Sequence, residues 1–172
     1  MTFREYQEEA IKTKIYRDEI AIPYIVLGAS SEIGELLTAI EFAKNNPDNI
    51  IKEAGDCFWY IAMACHEFGI STNNLKFSPH PLGLVDLIRE VNSSLSRLSG
   101  YTKKYLRDDY PDTIDKNRLK NILSEIQFLY CAIQSIVCAF SSISIEEVWK
   151  MNIDKLKSRK ERGVLSGSGD NR

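Results

Sequence analysis

Histidine is scarce in this 172-residue chain: His66 and His80 are the only two. That leaves little material for a zinc site or a histidine-based triad. Cysteine is limited to Cys57, Cys65, Cys131 and Cys138, with no Cys-x-x-Cys pair, and each falls inside an apolar helical pattern. The expectation is four reduced core cysteines. A basic excess is missing as well. Lys+Arg number 22 against 24 Asp+Glu, a net charge of −2, which argues against a general nucleic-acid binder. No uninterrupted apolar run approaches the ~20 residues of a membrane span, and Met1-Thr2-Phe3-Arg4-Glu5 has no signal-peptide character. These absences predict a cytoplasmic protein without nucleic-acid or membrane partners. Glycine (9) and proline (5) are sparse, and no window sustains the period-2 alternation of a half-buried strand.

Helical periodicity fills the space the absences leave. It predicts an all-α bundle of about five to six helices, with residues 1–163 as a single domain. The helices are expected over 3–16, 23–45, 49–68, 84–106 and 116–140, and from Ser144 to Gly163. Thr2-x-x-Glu5 and Ser144-x-x-Glu147 read as capping boxes, Pro23 suits a first helical turn, and Asp48 and Gly69 read as a cap and a stop. Residues 164–172 have the composition of a flexible tail. Glu53…Ile61…Phe68 matches Glu125…Ile133…Phe140 at an offset of 72, with Phe128 standing where the first copy has Asp56. The match fits either a duplicated helical hairpin or a coincidence between two buried helices. Phe58, Cys65 and Ile51 give the third helix a second apolar side, from which a homodimer or homotetramer is expected.

Four acids stand where apolar residues are expected. Glu32 and Glu35 share a helix, as do Glu53 and Asp56. With about 100° per residue, Glu32 falls on the face of Ile25, Ala29, Leu36 and Ala39, and Glu53 on that of Ile50, Cys57, Tyr60 and Ala64. Glu35 and Asp56 lie about 60° away on their helices. Buried like charges cost several kcal/mol each. Either the acids are protonated or paired with a distant helix, or they bind a cation. Oxygen donors without His or Cys suit Mg²⁺ or Mn²⁺. A di-iron bundle would need Glu-x-x-His pairs, which the sequence does not place here.

On the last helix, Asn152, Lys155, Arg159 and Arg162 form a basic strip beside Val148 and Leu156, followed by a Gly/Ser tail that ends Asp170-Asn171-Arg172. Such a strip is either a solvated face or an anion site, with tail amides and Arg172 available to a phosphate. Carboxylates with a basic strip suggest a polyphosphate substrate.

These residues resemble a known family. Leu27-Gly28-Ala29-Ser30-Ser31-Glu32-Ile33-Gly34-Glu35-Leu36, followed by Lys52-Glu53-Ala54-Gly55-Asp56, resembles the E-x-x-E…K-E-x-x-D signature of MazG-like nucleoside triphosphate pyrophosphohydrolases. Residues 148–172 are similar to the C-terminus of such proteins from phages and bacteria. Residues 76–147 lie outside the minimal domain and resemble the extra helical pair of longer, dimeric dUTPase-like members. The resemblance implies Mg²⁺-dependent hydrolysis of a (d)NTP to the monophosphate and pyrophosphate, with two or more ions per site. Glu32, Glu35, Glu53 and Asp56 would be the metal ligands, with Glu32 or Glu35 as general base. Lys155, Arg159, Arg162 and Arg172 would hold the triphosphate, and the tail would close over it. Trp59 and Tyr60 are candidates either for base stacking or for core, with Tyr6 and Gln7 at the pocket mouth. Asn152, Asp170 and Asn171 are candidates for nucleoside contacts. The base is not readable; dUTP, dCTP and dGTP are candidates. The rival readings are a non-catalytic nucleotide-binding protein and a structural helical bundle.

Overall fold

A computed structural model describes residues 1–43 and 47–166. Among the described residues the chain forms six helices and no strands: α1 (Phe3–Ile11), α2 (Ala21–Glu41), α3 (Pro47–Glu67), α4 (Leu84–Asp108), α5 (Lys116–Phe140) and α6 (Ile145–Glu161). Both expected capping boxes form: the Thr2 and Ser144 side chains accept from the backbone of Glu5 and Glu147, whose carboxylates return to the cap amides. Asp115 caps α5 through the Arg118 amide. Gly69 and Gly163 take positive φ (64° and 69°) just past α3 and α6, a conformation a Cβ disfavours.

The differences from the sequence expectation have local causes. Helix α1 stops at Ile11 rather than Tyr16: the Thr13 hydroxyl and amide both turn back to the Ala10 carbonyl, and a 3₁₀ turn at Asp18–Ile20 leads into α2. Helix α3 starts at Pro47, the position where proline's missing N–H costs nothing, so Asp48 lies in the first turn instead of capping it.

Helix α3 is the centre of the bundle. It packs against α2, α5, α6 and α1, while α4 packs mainly along α5. Its second apolar side is therefore covered from within the chain: Phe58, Cys65 and Ile51 are all buried. That surface needs no second copy, and the ground for expecting an oligomer is removed. Helix α1 closes the core with a cluster of rings. Phe3 lies 4.8 Å from Tyr130 and 5.2 Å from Trp149, and Tyr6 stacks on Trp149 at 5.8 Å. Cys57, Cys65 and Cys131 are buried as expected, but Cys138 is exposed. It falls on α5's outer side, within the helix's last turn.

The segments Asp18–Glu41 and Lys116–Phe140 are long and apolar enough for a membrane span by length and composition, contrary to the reading from uninterrupted runs. Much of α5 is buried against other helices, and α2 carries Glu32 and Glu35.

Candidate metal centre

Helices α2 and α3 run side by side, and their shared seam brings Glu32, Glu35 and Glu53 together. One carboxylate oxygen from each lies within 4.8 Å of the others. Glu53 is buried at 6 % exposure, Glu32 is half-buried and Glu35 is exposed, so the cluster grades from core to solvent. The donors are all carboxylate oxygens, the set that hard divalent cations prefer. Glu32, Glu35 and Glu53 would hold such a cation through one carboxylate oxygen each. The residues fit the group.

The electrostatics are those of repelling acids. Burial, then the charges of Asp56, Glu35 and Glu53, push the Glu32 carboxyl up to about 7. Burial, followed by the same four acids, also raises the neighbouring Cys57 thiol well above its ordinary value.

Asp56 stands apart from the three glutamates. Its carboxylate is held by α6: Lys155 Nζ lies 2.7 Å from Oδ1 and 2.5 Å from Oδ2, and Asn152 Nδ2 donates to Oδ1 at 2.8 Å. The sequence candidates thus separate into a carboxylate triad and an acid–amine pair beside it. Lys155 still bears on the triad, because its charge opposes the upward shift of Glu32.

The rest of the basic strip divides between core and solvent. Arg159 follows Asn152 by seven residues, two helical turns, and so returns to the bundle side; it is buried at 5 % exposure. Arg162 is the C-cap residue, exposed, with its Nε donating to the Ser158 carbonyl at 3.3 Å. Asp170, Asn171 and Arg172 lie outside the described residues.

Asn152, a candidate for nucleoside contact, is buried at 4 % exposure. Its amide lies between Asp56 and the Tyr6 hydroxyl, which donates to Oδ1 at 2.8 Å. That place suits holding Asp56 rather than reading a base. Tyr6 and Gln7 do not line a mouth: Tyr6 is fully buried, and Gln7 donates to the Ala62 carbonyl at 2.9 Å. Trp59 donates its indole N–H to Thr13 at 2.9 Å and meets Tyr16 and Tyr60 edge-on. Tyr60 lies over Gly28, where a Cβ would come 2.1 Å from the ring, and its hydroxyl pairs with Tyr24. Of these two half-buried rings, Tyr60 is the one close enough to Glu32 to feel its charge.

Sequence reasoning missed the Tyr6–Asn152–Asp56 chain, whose members lie on three helices. The one available signal was a hydroxyl-bearing ring on the apolar face of α1, where phenylalanine would pack equally well. Two cavities adjoin the centre. One of about 230 Å³ is lined by Glu35, Glu53, Thr38, Phe42 and Asn49. Another of about 160 Å³, between α3 and α6, is lined by Lys52, Lys155, Ile51, Val148 and Met151.

Comparison with protein-family models, curated proteins and solved structures finds no match.

Proposed function

We propose that the chain is a Mg²⁺-dependent nucleoside triphosphate pyrophosphohydrolase, cleaving a (deoxy)nucleoside triphosphate to the monophosphate and pyrophosphate. The observation that carries this reading is the convergence of Glu32, Glu35 and Glu53, with ligand atoms within 4.8 Å, next to the Lys155 amine. The MazG-like motif supports it with the bond cleaved, a nucleotide-pool editing role and a cytoplasmic setting in a bacterial or phage-infected cell. Glu32, Glu35 and Glu53 would hold the cation, and Asp56 would join them when Lys155 turns to the substrate. A bound divalent cation neutralises phosphate charge and lowers the pKa of a bound water. The chain's own contribution is to fix the donors, to supply Lys155 for a phosphate, and to offer Glu32 or Glu35 as proton acceptor.

The test is incubation with Mg²⁺ and a panel of NTPs and dNTPs, with pyrophosphate and orthophosphate assayed separately. Monophosphate plus pyrophosphate from one or a few bases supports the reading; orthophosphate alone rejects the cleavage site. The Lys155–Asp56 ion pair favours a second reading, a structural or nucleotide-binding bundle in which acids are balanced by α6. That reading expects no turnover, and in its purely structural form no response of melting temperature to Mg²⁺ or nucleotide.

A further inference from the structure

Tyr6 is an expensive residue at its position. It is fully buried, and its ring stacks on Trp149 at 5.8 Å and Phe3 at 5.6 Å, contacts a phenylalanine would also make. Burying a hydroxyl costs free energy unless the hydroxyl is hydrogen-bonded. Here it lies 2.8 Å from Asn152 Oδ1 and 3.3 Å from the Gly55 carbonyl. The direction of the chain is fixed by donor and acceptor chemistry. An ionised Asp56 can only accept, so Asn152 must turn Nδ2 toward it. That leaves Oδ1 facing Tyr6, which must donate. The contacts run from α1 through α6 to α3, spanning 146 residues of sequence between Tyr6 and Asn152.

Asp56 therefore has two partners of different kinds. Asn152 is buried and locked by Tyr6. Lys155 is a point charge on a flexible stem, with its side chain 25 % exposed. The first stays while the second can leave. Gly55 makes room for the arrangement: a Cβ there would come 3.0 Å from Asn152 Cβ and 3.2 Å from its Nδ2.

We propose that Tyr6 is a positioning residue for the cation site: through Asn152 it holds the Asp56 carboxylate in place while Lys155 is exchanged for a divalent cation. The proposal rests on the metal reading above. Partners that orient a ligand directly typically contribute about 10- to 100-fold to metal affinity; that is the loss expected for Asn152→Ala, and Tyr6→Phe, which keeps the ring and removes the donor one contact further out, is expected to lose a measurable part of the same factor.

The experiment is calorimetric titration of Mg²⁺, and separately Mn²⁺, into the full-length wild type, Tyr6→Phe, Asn152→Ala and the double variant. Circular dichroism and apo melting curves accompany it, and Asn152→Ser replaces Asn152→Ala if the latter does not fold. The expected result is weakened binding in Tyr6→Phe and Asn152→Ala, with the double variant no weaker than Asn152→Ala alone. Unchanged affinity in Tyr6→Phe, including with a lowered apo melting temperature, makes the hydroxyl a purely structural group and overturns the proposal while the metal site stands. Additive losses overturn the route through Asn152. Wild-type protein that binds neither ion overturns the metal reading and the proposal together.

Discussion

At the residue scale, the acids of α2 and α3 are informative because they sit where their free energy is poorest. Glu53 is buried at 6 % exposure beside two other glutamates, a placement that lowers apo stability and raises the affinity for a cation. Glu53→Gln keeps the shape and removes one negative charge. The expected outcome is loss of Mg²⁺-dependent hydrolysis, with an apo fold left intact or stabilised by about 1 kcal/mol, roughly 2–4 °C in melting temperature. Product chromatography and a melting curve in chelator check the two halves. Wild-type turnover in this variant would rule Glu53 out of the centre. Arg159 shows the limit of reading single residues. Its charge suggested phosphate and solvent, but its register with Asn152 turns it into the bundle.

At the scale of elements, the two long hairpins treat the same problem differently. Glu125, 72 positions after Glu53, is also buried, at 8 % exposure. It accepts from Ser94 at 2.7 Å and from Arg97 at 2.8 and 3.0 Å, so α4 balances it with a guanidinium where α2 sets two more carboxylates beside Glu53. Phe128, at the place of Asp56, meets His80 with ring centroids 5.0 Å apart. The α4–α5 pair thus reads as the structural hairpin and α2–α3 as the chemical one. Arg97→Met strands Glu125, and because the Arg97 side chain is 42 % exposed the expected cost is moderate, about 1–3 kcal/mol. Urea denaturation measures it, and the Mg²⁺ response should be unchanged. A second prediction belongs to the α2–α3 seam. Gly28→Ala gains helix propensity but drives a methyl into the Tyr60 ring. Overpacking of this kind costs about 1–3 kcal/mol, and on a Tyr60→Ala background, where the ring is gone, the same Gly28→Ala change should cost little. Melting curves of the single and double variants decide the matter.

At the scale of the whole molecule, the fold was more legible than the site. Caps such as Thr2/Glu5 and Ser144/Glu147 act within a few residues, and so can be read from the chain alone. Glu32 and Glu53 were legible as well, because a carboxylate on an apolar stripe is locally anomalous, and Glu35 stood out only by its spacing from Glu32. The Asp56–Lys155 pair and the Tyr6–Asn152 contact join positions 99 and 146 apart, and only the packing of α1, α3 and α6 on one another creates them. Global stability should report on the cluster as a unit. The Glu32 carboxyl is pushed up to about 7 by burial and then by neighbouring acids, from an ordinary value of 4.5. A raised carboxyl favours the folded state while it is protonated. Its contribution is therefore full below about 4.5, is lost as pH rises toward 7, and is gone above that value. A cation competes for the same oxygens, so Mg²⁺ has to displace that proton below pH 7 and meets an ionised cluster above it. Mg²⁺ at about 100 times its Kd stabilises a folded protein by about 2.7 kcal/mol. The rise in melting temperature on adding Mg²⁺ should accordingly be larger at pH 8 than at pH 6, and chelator should abolish it at both. Differential scanning calorimetry at the two pH values measures this directly. An equal rise at both would remove Glu32 from the set of ligands, and no rise at either would mean that α6, through Lys155, already balances the acids.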